Sequence, residues 1–227
     1  MIEKSLISAE QAAGLVKDGD TVMIGGFMAC GSPPDILKAL NDKGTGGLTL
    51  VCNDTAIYNA KNDFMNGVAP LVFKKQFSKI IVSHIGTNPE TQRQMNAGET
   101  DVELVPQGTL AEQIRAGGAG LGGVLTPTGV GTEVEEGKQV LEVDGRKFLL
   151  EKAMKGDIAL IKACKADKAG NLTYDKSSRN FGPLMATACK TVVAEVDEIV
   201  EPGDLDPEYI VTPGFFVDYL VLSKGAK

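Results

Sequence analysis

Short apolar runs rich in valine and isoleucine recur along the chain, and most are separated by stretches with the composition of helices. Strands that are apolar throughout are typical of parallel sheets whose two faces are both covered. The sequence therefore predicts an α/β fold, with one open, mainly parallel sheet and helices on both faces, in a single domain of residues 1–227. The predicted strands are TVMIG (21–25), LTLVC (48–52), KIIVS (79–83), VELV (102–105), DIALIKA (157–163) and KTVVAEV (190–196).

Two of the predicted helices carry the spacing of a capping box at their starts. Ser8 is followed three residues later by Gln11, and Thr109 is followed at the same distance by Glu112. In such a box the hydroxyl and the longer side chain each satisfy one backbone amide of the first helical turn. We therefore expect helices to begin at these two places.

The stretch QVLEVDGRKFLLE (139–151) differs in kind from the apolar runs. Asp144-Gly145 between two extended segments is a strong hairpin signal, because the favoured two-residue turn needs positive φ at both central positions. We expect a small antiparallel excursion on the edge of the main sheet.

Composition and charge narrow the class of function. The chain has 227 residues, 43% of them hydrophobic, which is enough for a core without disulfide or metal staples. A net charge of −7 and the lack of a basic stripe interleaved with aromatic residues argue against nucleic-acid binding. No basic apolar leader and no uncharged run of membrane-spanning length is present, so we expect a cytoplasmic protein without a membrane partner.

The reactive residue types form no recognisable catalytic motif. The sequence contains no G-x-S-x-G elbow, no P-loop and no H-E-x-x-H, and its one histidine is His84. Without a C-x-x-C pair, reduced thiols are expected rather than a metal site. Cys30 has no visible activating partner, so a small buried filler is the favoured interpretation over a nucleophile. The cysteines are Cys30, Cys52, Cys164 and Cys189.

The segment DGDTVMIGGFMACGSPP (18–34) runs from a predicted strand into paired glycines and then into two prolines. Because glycine lacks a Cβ atom, Gly25 and Gly26 allow backbone N–H groups to approach a ligand closely. Ser32 is expected to cap the following helix, with Pro33 at its first position. The spacing is not G-x-G-x-x-G, which argues against a dinucleotide loop.

Each predicted strand ends in something small or polar. Ligands of open α/β sheets bind outside the carboxyl ends of the strands, so these residues are expected on one rim. The Gln107 amide could donate to a developing oxyanion, although a structural glutamine is the commoner alternative. A lone histidine such as His84 is more often structural than a base. The rim residues are Gly25, Asn53, Asp54, His84, Gln107 and Lys162 or Lys165.

The segment 106–132 combines about two turns of helix with a dense run of glycines. Glycine runs are commonly flexible surface loops. These glycines alternate with alanine, leucine and valine, which instead favours a backbone packed closely against a ligand or another chain. Composition leaves the two interpretations open.

Several blocks together resemble one enzyme family. DGDTVMIGGFMACGSP resembles the signature of class I CoA-transferases, a D-G-led strand followed by G-G-F-x-x-x-G-x-P. The blocks VELVPQGTLAEQIRAGGAGLGG, TPTGVGT, KADKAGNLTY, SSRNF (177–181) and VTPGFFVDYLV continue the similarity in order over essentially the whole chain. The resemblance is to α subunits of the acetate/acetoacetate or butyrate/acetoacetate type.

The resemblance implies a division of labour between two chains. In this family a glutamate in an S-E-N-G block of the β subunit attacks the acyl-CoA thioester, and this sequence contains no S-E-N-G. The resemblance further implies an α2β2 assembly, a CoA thioester as substrate, no bound cofactor, and Gln107 as oxyanion donor facing the β-subunit glutamate. The glycines at 117, 118, 120, 122 and 123 would line the same cleft. The implied CoA-binding loop is Gly25, Gly26, Phe27, Met28, Ala29, Cys30 and Gly31.

Two other functions remain open at this level. In an acyl-CoA hydrolase, water rather than a second carboxylate would resolve the intermediate. A stand-alone metabolite-binding module, like the sugar-phosphate relatives of this fold, would be stable alone and would need no partner.

Overall fold

The computed structural model describes residues 3–225, which contain the following elements. The strands are β1 (Ser5–Leu6), β2 (Thr21–Ile24), β3 (Leu48–Val51), β4 (Tyr58–Asn59), β5 (Phe64–Met65), β6 (Phe77–Val82), β7 (Asp101–Leu104), β8 (Gly123–Thr126), β9 (Val140–Val143), β10 (Arg146–Lys152), β11 (Gly156–Asp167), β12 (Leu172–Thr173), β13 (Cys189–Val200) and β14 (Tyr219–Leu222). The helices are α1 (Ala9–Leu15), α2 (Pro34–Lys43), α3 (Ala69–Phe73), α4 (Pro89–Asn96), α5 (Gln107–Gly118) and α6 (Gly182–Ala188). None of these helices has the length and apolar character needed to cross a membrane.

The main sheet has nine strands in the order β1-β14-β13-β11-β2-β3-β6-β7, with β12 attached to β11. Neighbouring strands run parallel throughout, except that β12 is antiparallel to β11. The longest pairing, between β11 and β13, begins with Gly156 opposite Cys189 and ends with Asp167 opposite Val200. The predicted α/β fold is confirmed, and all the predicted strands lie in this sheet.

Helices cover both faces of the sheet because successive strand residues point to opposite sides. In β2, Val22 and Ile24 belong to one buried cluster and Met23 to the other. Helices α1, α2 and α3 contribute to the first cluster, for example through Leu37, whereas α5 and α6 contribute to the second, for example through Leu110. The carboxyl ends of the strands therefore emerge between two helical layers.

The predicted hairpin forms around Asp144 and Gly145, whose φ values are 52° and 73°. It does not lie on the edge of the main sheet, where the prediction placed it. Strand β10 sits between β8 and β9 in a separate three-stranded sheet, and β8 pairs with it over four residues. The prediction was wrong about the location because β8, within the glycine-rich segment, was not recognised as a strand.

The two predicted capping boxes have different outcomes. The Ser8 hydroxyl accepts from the Gln11 amide at 3.1 Å, and the Gln11 side chain accepts from the Ser8 amide at 2.8 Å, so the first box is confirmed. Helix α5 begins at Gln107, before the predicted start, and the Thr109 hydroxyl is buried without a hydrogen-bond partner among residues 3–225. The box predicted at Thr109–Glu112 is therefore wrong, because the preceding proline already supplies the N-cap position.

This difference predicts different effects on stability when the two hydroxyls are removed. Ser8→Ala should lower the free energy of unfolding by about 1 kcal/mol, because it removes a side-chain cap. Thr109→Val should be neutral or stabilising, because it replaces an unpaired buried hydroxyl by a methyl group of the same shape. Urea unfolding of the two variants measures both effects. A loss in Thr109→Val as large as that in Ser8→Ala would show that Thr109 is a cap after all.

Ser32 is not the cap of helix α2. Its hydroxyl donates to the Gly25 carbonyl at 2.8 Å, inside the preceding loop, and Pro33 is the N-cap residue without a side-chain cap. The helix begins at Pro34, one residue after the predicted position. Ser32 is thus used to close the loop rather than to start the helix.

The cap of helix α2 comes from a distant strand. Glu195 of β13 is fully buried, and its Oε2 atom accepts from the amides of Asp35 and Ile36, each at 3.0 Å. Ser223 donates to its other oxygen at 2.9 Å. Burial raises the pKa of the Glu195 carboxyl, and the hydrogen bonds oppose that shift. This contact anchors the helix that follows the glycine loop to the centre of the sheet.

Candidate functional site

The loop from Gly25 to Gly31 connects β2, near the centre of the sheet, to α2. Phe27 and Cys30 donate to each other's carbonyls, each at 2.9 Å. Met28 and Ala29 between them have φ values of 49° and 70°, so the loop is a tight turn with positive φ at both central positions. Phe27 and Met28 are 46% and 37% exposed, which places two apolar residues at its tip. A turn of this kind can present an apolar surface and backbone amides to a ligand.

The amides of Gly25 and Gly26 are not free for a ligand, contrary to the reason inferred from the sequence. Gly25 donates to the Leu160 carbonyl at 3.1 Å, and Gly26 donates to the Asn180 side chain at 3.0 Å. A Cβ atom on Gly26 would lie 2.1 Å from the Ser32 hydroxyl, and φ there is 128°. The paired glycines therefore allow the loop to fold onto its own chain.

Two loop amides remain without a hydrogen bond to any of residues 3–225, those of Ala29 and Gly31. Both residues are partly exposed. They are the backbone donors that this loop has left to offer to a bound molecule.

Asp54, three residues after the end of the neighbouring strand β3, holds the tip of the loop. Its Oδ2 atom accepts from the Met28 amide at 2.8 Å and from the Asn53 side chain at 2.6 Å, and its Oδ1 atom accepts from the Ala56 amide at 2.8 Å. The residue is 5% exposed. A buried carboxylate with three donors is a strongly ordered group, so the loop tip is held in one position.

Gln107 is brought to the same edge by the start of α5. Its Nε2 atom donates to Asn53 Oδ1 at 2.6 Å, and Asn53 is itself buried. The Gln107 side chain is otherwise exposed, so its second N–H remains available. Through Asn53 and Asp54, a chain of hydrogen bonds runs from Gln107 to the Met28 amide.

The structure brings most of the predicted rim together. Residues after β2, β3, β6 and β7 meet in strand order, and His84 forms a backbone bridge with Asp54. The exposed His84 side chain makes no hydrogen bond to any residue in the described part of the chain. Lys162 and Lys165 are each paired with a carboxylate, of Asp197 at 2.5 Å and of Glu198 at 2.7 Å, respectively.

Asn180 is a site residue whose role the sequence did not reveal. Its Oδ1 atom accepts from Gly26 and Phe181, and its Nδ2 atom donates to the carbonyls of Cys30 and Ser177 at 2.9 and 2.8 Å. The residue lies in SSRNF (177–181), where no spacing or composition predicts a contact with the glycine loop. The available signal in the sequence was its residue type, because an asparagine side chain can both donate and accept hydrogen bonds.

The glycine-rich segment packs mainly against its own chain. A Cβ atom on Gly117 would lie 1.9 Å from the Met154 carbonyl oxygen, and one on Gly118 would lie 1.9 Å from the Thr187 hydroxyl. These two glycines let α5 approach its neighbours closely. Close packing within this chain is therefore sufficient to explain these two glycines. Close packing does not explain Gly120 or Gly122, because a Cβ atom on either would meet nothing within 4 Å.

Two hollows flank the loop. One, of about 360 Å³, is lined by apolar groups of Ala29, Leu37, Met65 and Leu71, with Lys38 among the lining residues. The other, of about 370 Å³, is polar in part. It is lined by residues including Cys30, Lys162, Cys164, Asp175, Lys176 and Asp197.

Cys52, which is buried, and Cys164 and Cys189, which are partly buried, are poorly suited to act as nucleophiles. Burial raises the pKa of the Cys52 thiol well above its usual range and that of Cys189 to about 12. The pKa of the Cys164 thiol is also raised, first by burial and then by nearby carboxylates. Cys30 is exposed, so the expectation of a buried filler is wrong, and its Sγ atom lies 3.9 Å from the Ser177 hydroxyl. Residues 3–225 contain no group of three or more His, Cys, Asp or Glu side chains arranged to hold a metal.

Comparison with known proteins assigns this architecture to a family. The model of the family described as "Coenzyme A transferase" matches residues 6–223. The chain is 51% identical over 226 residues to the acetate CoA-transferase subunit alpha of Escherichia coli K12, covering 100% of both chains. It is 42% identical over 220 residues to the acetoacetyl-CoA:acetate/butyrate CoA transferase alpha subunit of Clostridium acetobutylicum, covering 97% of this chain and 98% of that one.

Solved structures show the same fold at lower identity. An acyl-CoA transferase from Escherichia coli O157:H7, in a thioester complex with CoA, superposes with a TM-score of 0.85 at 22% identity, over 97% of this chain. This chain spans 47% of that one, about half its length. Glutaconate coenzyme A-transferase from Acidaminococcus fermentans gives a TM-score of 0.82 at 18% identity, over 96% of this chain and 75% of that one. With a family match over nearly its whole length, the chain belongs to the coenzyme A transferase family.

Proposed function

We propose that this chain is the α subunit of a short-chain acyl CoA-transferase, which moves CoA between an acyl-CoA and a carboxylate such as acetate. The observation that carries the proposal is the meeting of the glycine loop and Gln107 at one edge, joined through Asn53 and Asp54. The names of the relatives that match over their full lengths support it. Free thiols fit a cytoplasmic location, which remains part of the proposal.

A β subunit completes the proposed enzyme. The chain corresponds in fold to about half of the acyl-CoA transferase from Escherichia coli O157:H7, which supports a second chain that supplies the other half. The proposed assembly is α2β2, and the nucleophilic glutamate lies on the β subunit. Its carboxylate attacks the thioester carbonyl and expels the CoA thiolate, which leaves an acyl-glutamyl anhydride. The thiolate then attacks the glutamyl carbonyl, releases the first carboxylate and leaves a glutamyl-CoA thioester. The second carboxylate reverses these steps.

The loop from Gly25 to Gly31 is the proposed CoA-binding element. The free amides of Ala29 and Gly31 can donate to polar groups of CoA, and the exposed side chains of Phe27 and Met28 can pack on its apolar portions. The remaining members, Gly25, Gly26 and Cys30, use their backbone groups to hold the loop to other parts of this chain. CoA is a substrate here, and no bound cofactor is proposed.

Gln107 is the proposed oxyanion donor of this chain. One N–H of its amide is fixed by Asn53, so the other has a defined direction when negative charge develops on the thioester oxygen. The acyl group is not assigned further, because one methylene changes selectivity by only about 1–3 kcal/mol and a pocket shared with the partner decides it.

The decisive assay follows acetoacetyl-CoA consumption by this chain alone and with its candidate β subunit co-expressed, with and without acetate. The proposal expects activity only in the pair and only with the carboxylate. Consumption without acetate would identify an acyl-CoA hydrolase. A stable lone chain that binds a phosphorylated metabolite, with no activity in either sample, would identify a stand-alone binding module.

A further inference from the structure

The carboxamide of Asn180 contacts the glycine loop on both sides of its turn. Oδ1 accepts from the Gly26 amide at 3.0 Å, and Nδ2 donates to the Cys30 carbonyl at 2.9 Å. Gly26 and Cys30 flank the turn that Met28 and Ala29 form. One side chain, 154 residues from Gly26 in sequence, therefore spans the base of the loop.

The same carboxamide is anchored to its own segment. Oδ1 also accepts from the Phe181 amide at 2.8 Å, and Nδ2 also donates to the Ser177 carbonyl at 2.8 Å. Both acceptor positions and both donor positions of the amide are thus used. Aspartate cannot replace it, because a second carboxylate oxygen would face two carbonyl oxygens, and a carboxylate only accepts.

The surrounding packing leaves little room for another arrangement. A Cβ atom on Gly31 would lie 2.3 Å from the Ser178 carbonyl oxygen and 3.0 Å from Asn180 Nδ2. The segment that carries Asn180 therefore presses directly on the end of the loop, where the free Gly31 amide lies. Loss of the hydrogen bonds from Asn180 to Gly26 and Cys30 would therefore free the loop next to the Gly31 amide.

We infer that Asn180 is a positioning residue for acyl-CoA. Its carboxamide joins Gly26 to Cys30 by hydrogen bonds and so holds the loop in its binding conformation. This inference rests on the proposed function, since it assumes that the loop binds CoA. It assigns no contact between Asn180 and the substrate. Its effect should therefore appear in the use of acyl-CoA and not in the use of the carboxylate.

The test uses the co-expressed two-chain enzyme with Asn180→Ala and Asn180→Asp. Both variants should raise the KM for acetoacetyl-CoA about tenfold or more, while the KM for acetate stays within about twofold. Asn171→Asp is the matched control. Asn171 donates to Asp167 and accepts from the Gly214 amide, so the same substitution creates a similar repulsion away from the loop. The control should lower the melting temperature without changing either KM.

A second measurement is independent of catalysis. In Asn180→Ala the hydrogen-bonded amides of Phe27, Met28 and Cys30 should exchange with deuterium about tenfold faster or more, while those of α4 remain unchanged. An unchanged acetoacetyl-CoA KM, or unchanged exchange in the loop, would overturn the inference and leave Asn180 a structural residue. If the wild-type enzyme transfers no CoA, the proposed function fails. In that case hydrogen exchange still tests whether Asn180 holds the loop, but the proposed role of Asn180 in acyl-CoA binding is rejected together with the function.

Discussion

Replacing Gln107 by alanine in the two-chain enzyme is expected to lower kcat about 100- to 1000-fold and to change the KM for acyl-CoA by less than about threefold. The amide has one N–H held by Asn53 at 2.6 Å and one free N–H at the exposed edge of the sheet. Negative charge on the thioester oxygen develops only during attack, so the lost donor stabilises the transition state much more than the bound substrate.

Gln92→Ala is the matched control for this substitution. Gln92 is an exposed glutamine on α4 and makes no side-chain hydrogen bond within the described residues, so its loss should leave kcat unchanged. Steady-state kinetics of both variants with acetoacetyl-CoA and acetate measure the difference. If Gln107→Ala retained the wild-type kcat, its amide would only hold the Asn53 side chain in place.

Gly26→Ala is expected to lower kcat/KM for acyl-CoA about 100-fold or more, whereas Gly25→Ala should cost less than about tenfold. The two glycines are adjacent but differ in their surroundings. At Gly26 a Cβ atom would meet the Ser32 hydroxyl at 2.1 Å, and φ is 128°, which L side chains rarely adopt. At Gly25 the nearest atom would be the Gly31 carbonyl oxygen at 3.5 Å, an ordinary contact.

The comparison also separates two explanations for the paired glycines. If they serve loop folding, as the internal hydrogen bonds indicate, only the Gly26 variant loses activity and loop order. If a ligand backs directly onto Gly25, both variants lose activity to a similar degree. Measuring kcat/KM together with the melting temperature of the assembled enzyme distinguishes these outcomes, because a ligand clash leaves the melting temperature unchanged.

Local patterns anticipated the elements whose stability is local or periodic. The Asp144-Gly145 turn formed because both residues tolerate positive φ, and the Ser8 box formed because its partners are three residues apart. The sequence pattern did not predict strand β14, although most of it lies in the block VTPGFFVDYLV. The strand has only four residues, and the nearby Pro213 and Gly214 are typical of a turn rather than of a strand.

Local patterns failed wherever a distant group replaced a nearby one. Ser32 had the position of a helix cap, yet Glu195 caps that helix and Ser32 closes the loop instead. A carboxylate from β13 can do so because the parallel sheet places β13 next to the strand that neighbours β2. No rule of residue spacing predicts this contact, because Glu195 and Asp35 are 160 residues apart in sequence.

The candidate site shows the same division. Its members were expected on one rim, since residues after parallel strands share an edge. The sequence did not indicate which hydrogen-bond donors are free there. The Gly25 and Gly26 amides donate within the chain, whereas those of Ala29 and Gly31 make no hydrogen bond to residues 3–225. One N–H of Gln107 is held by Asn53.

The sequence by itself determined the α/β class, the hairpin, the family and the candidate loop, because these depend on periodicity, turn chemistry and ordered motifs within short windows. Only the tertiary structure decided how Asn180, Asp54 and Glu195 shape the site. Their partners lie 154, 26 and 160 residues away in sequence, and only the completed sheet brings such groups within hydrogen-bond distance.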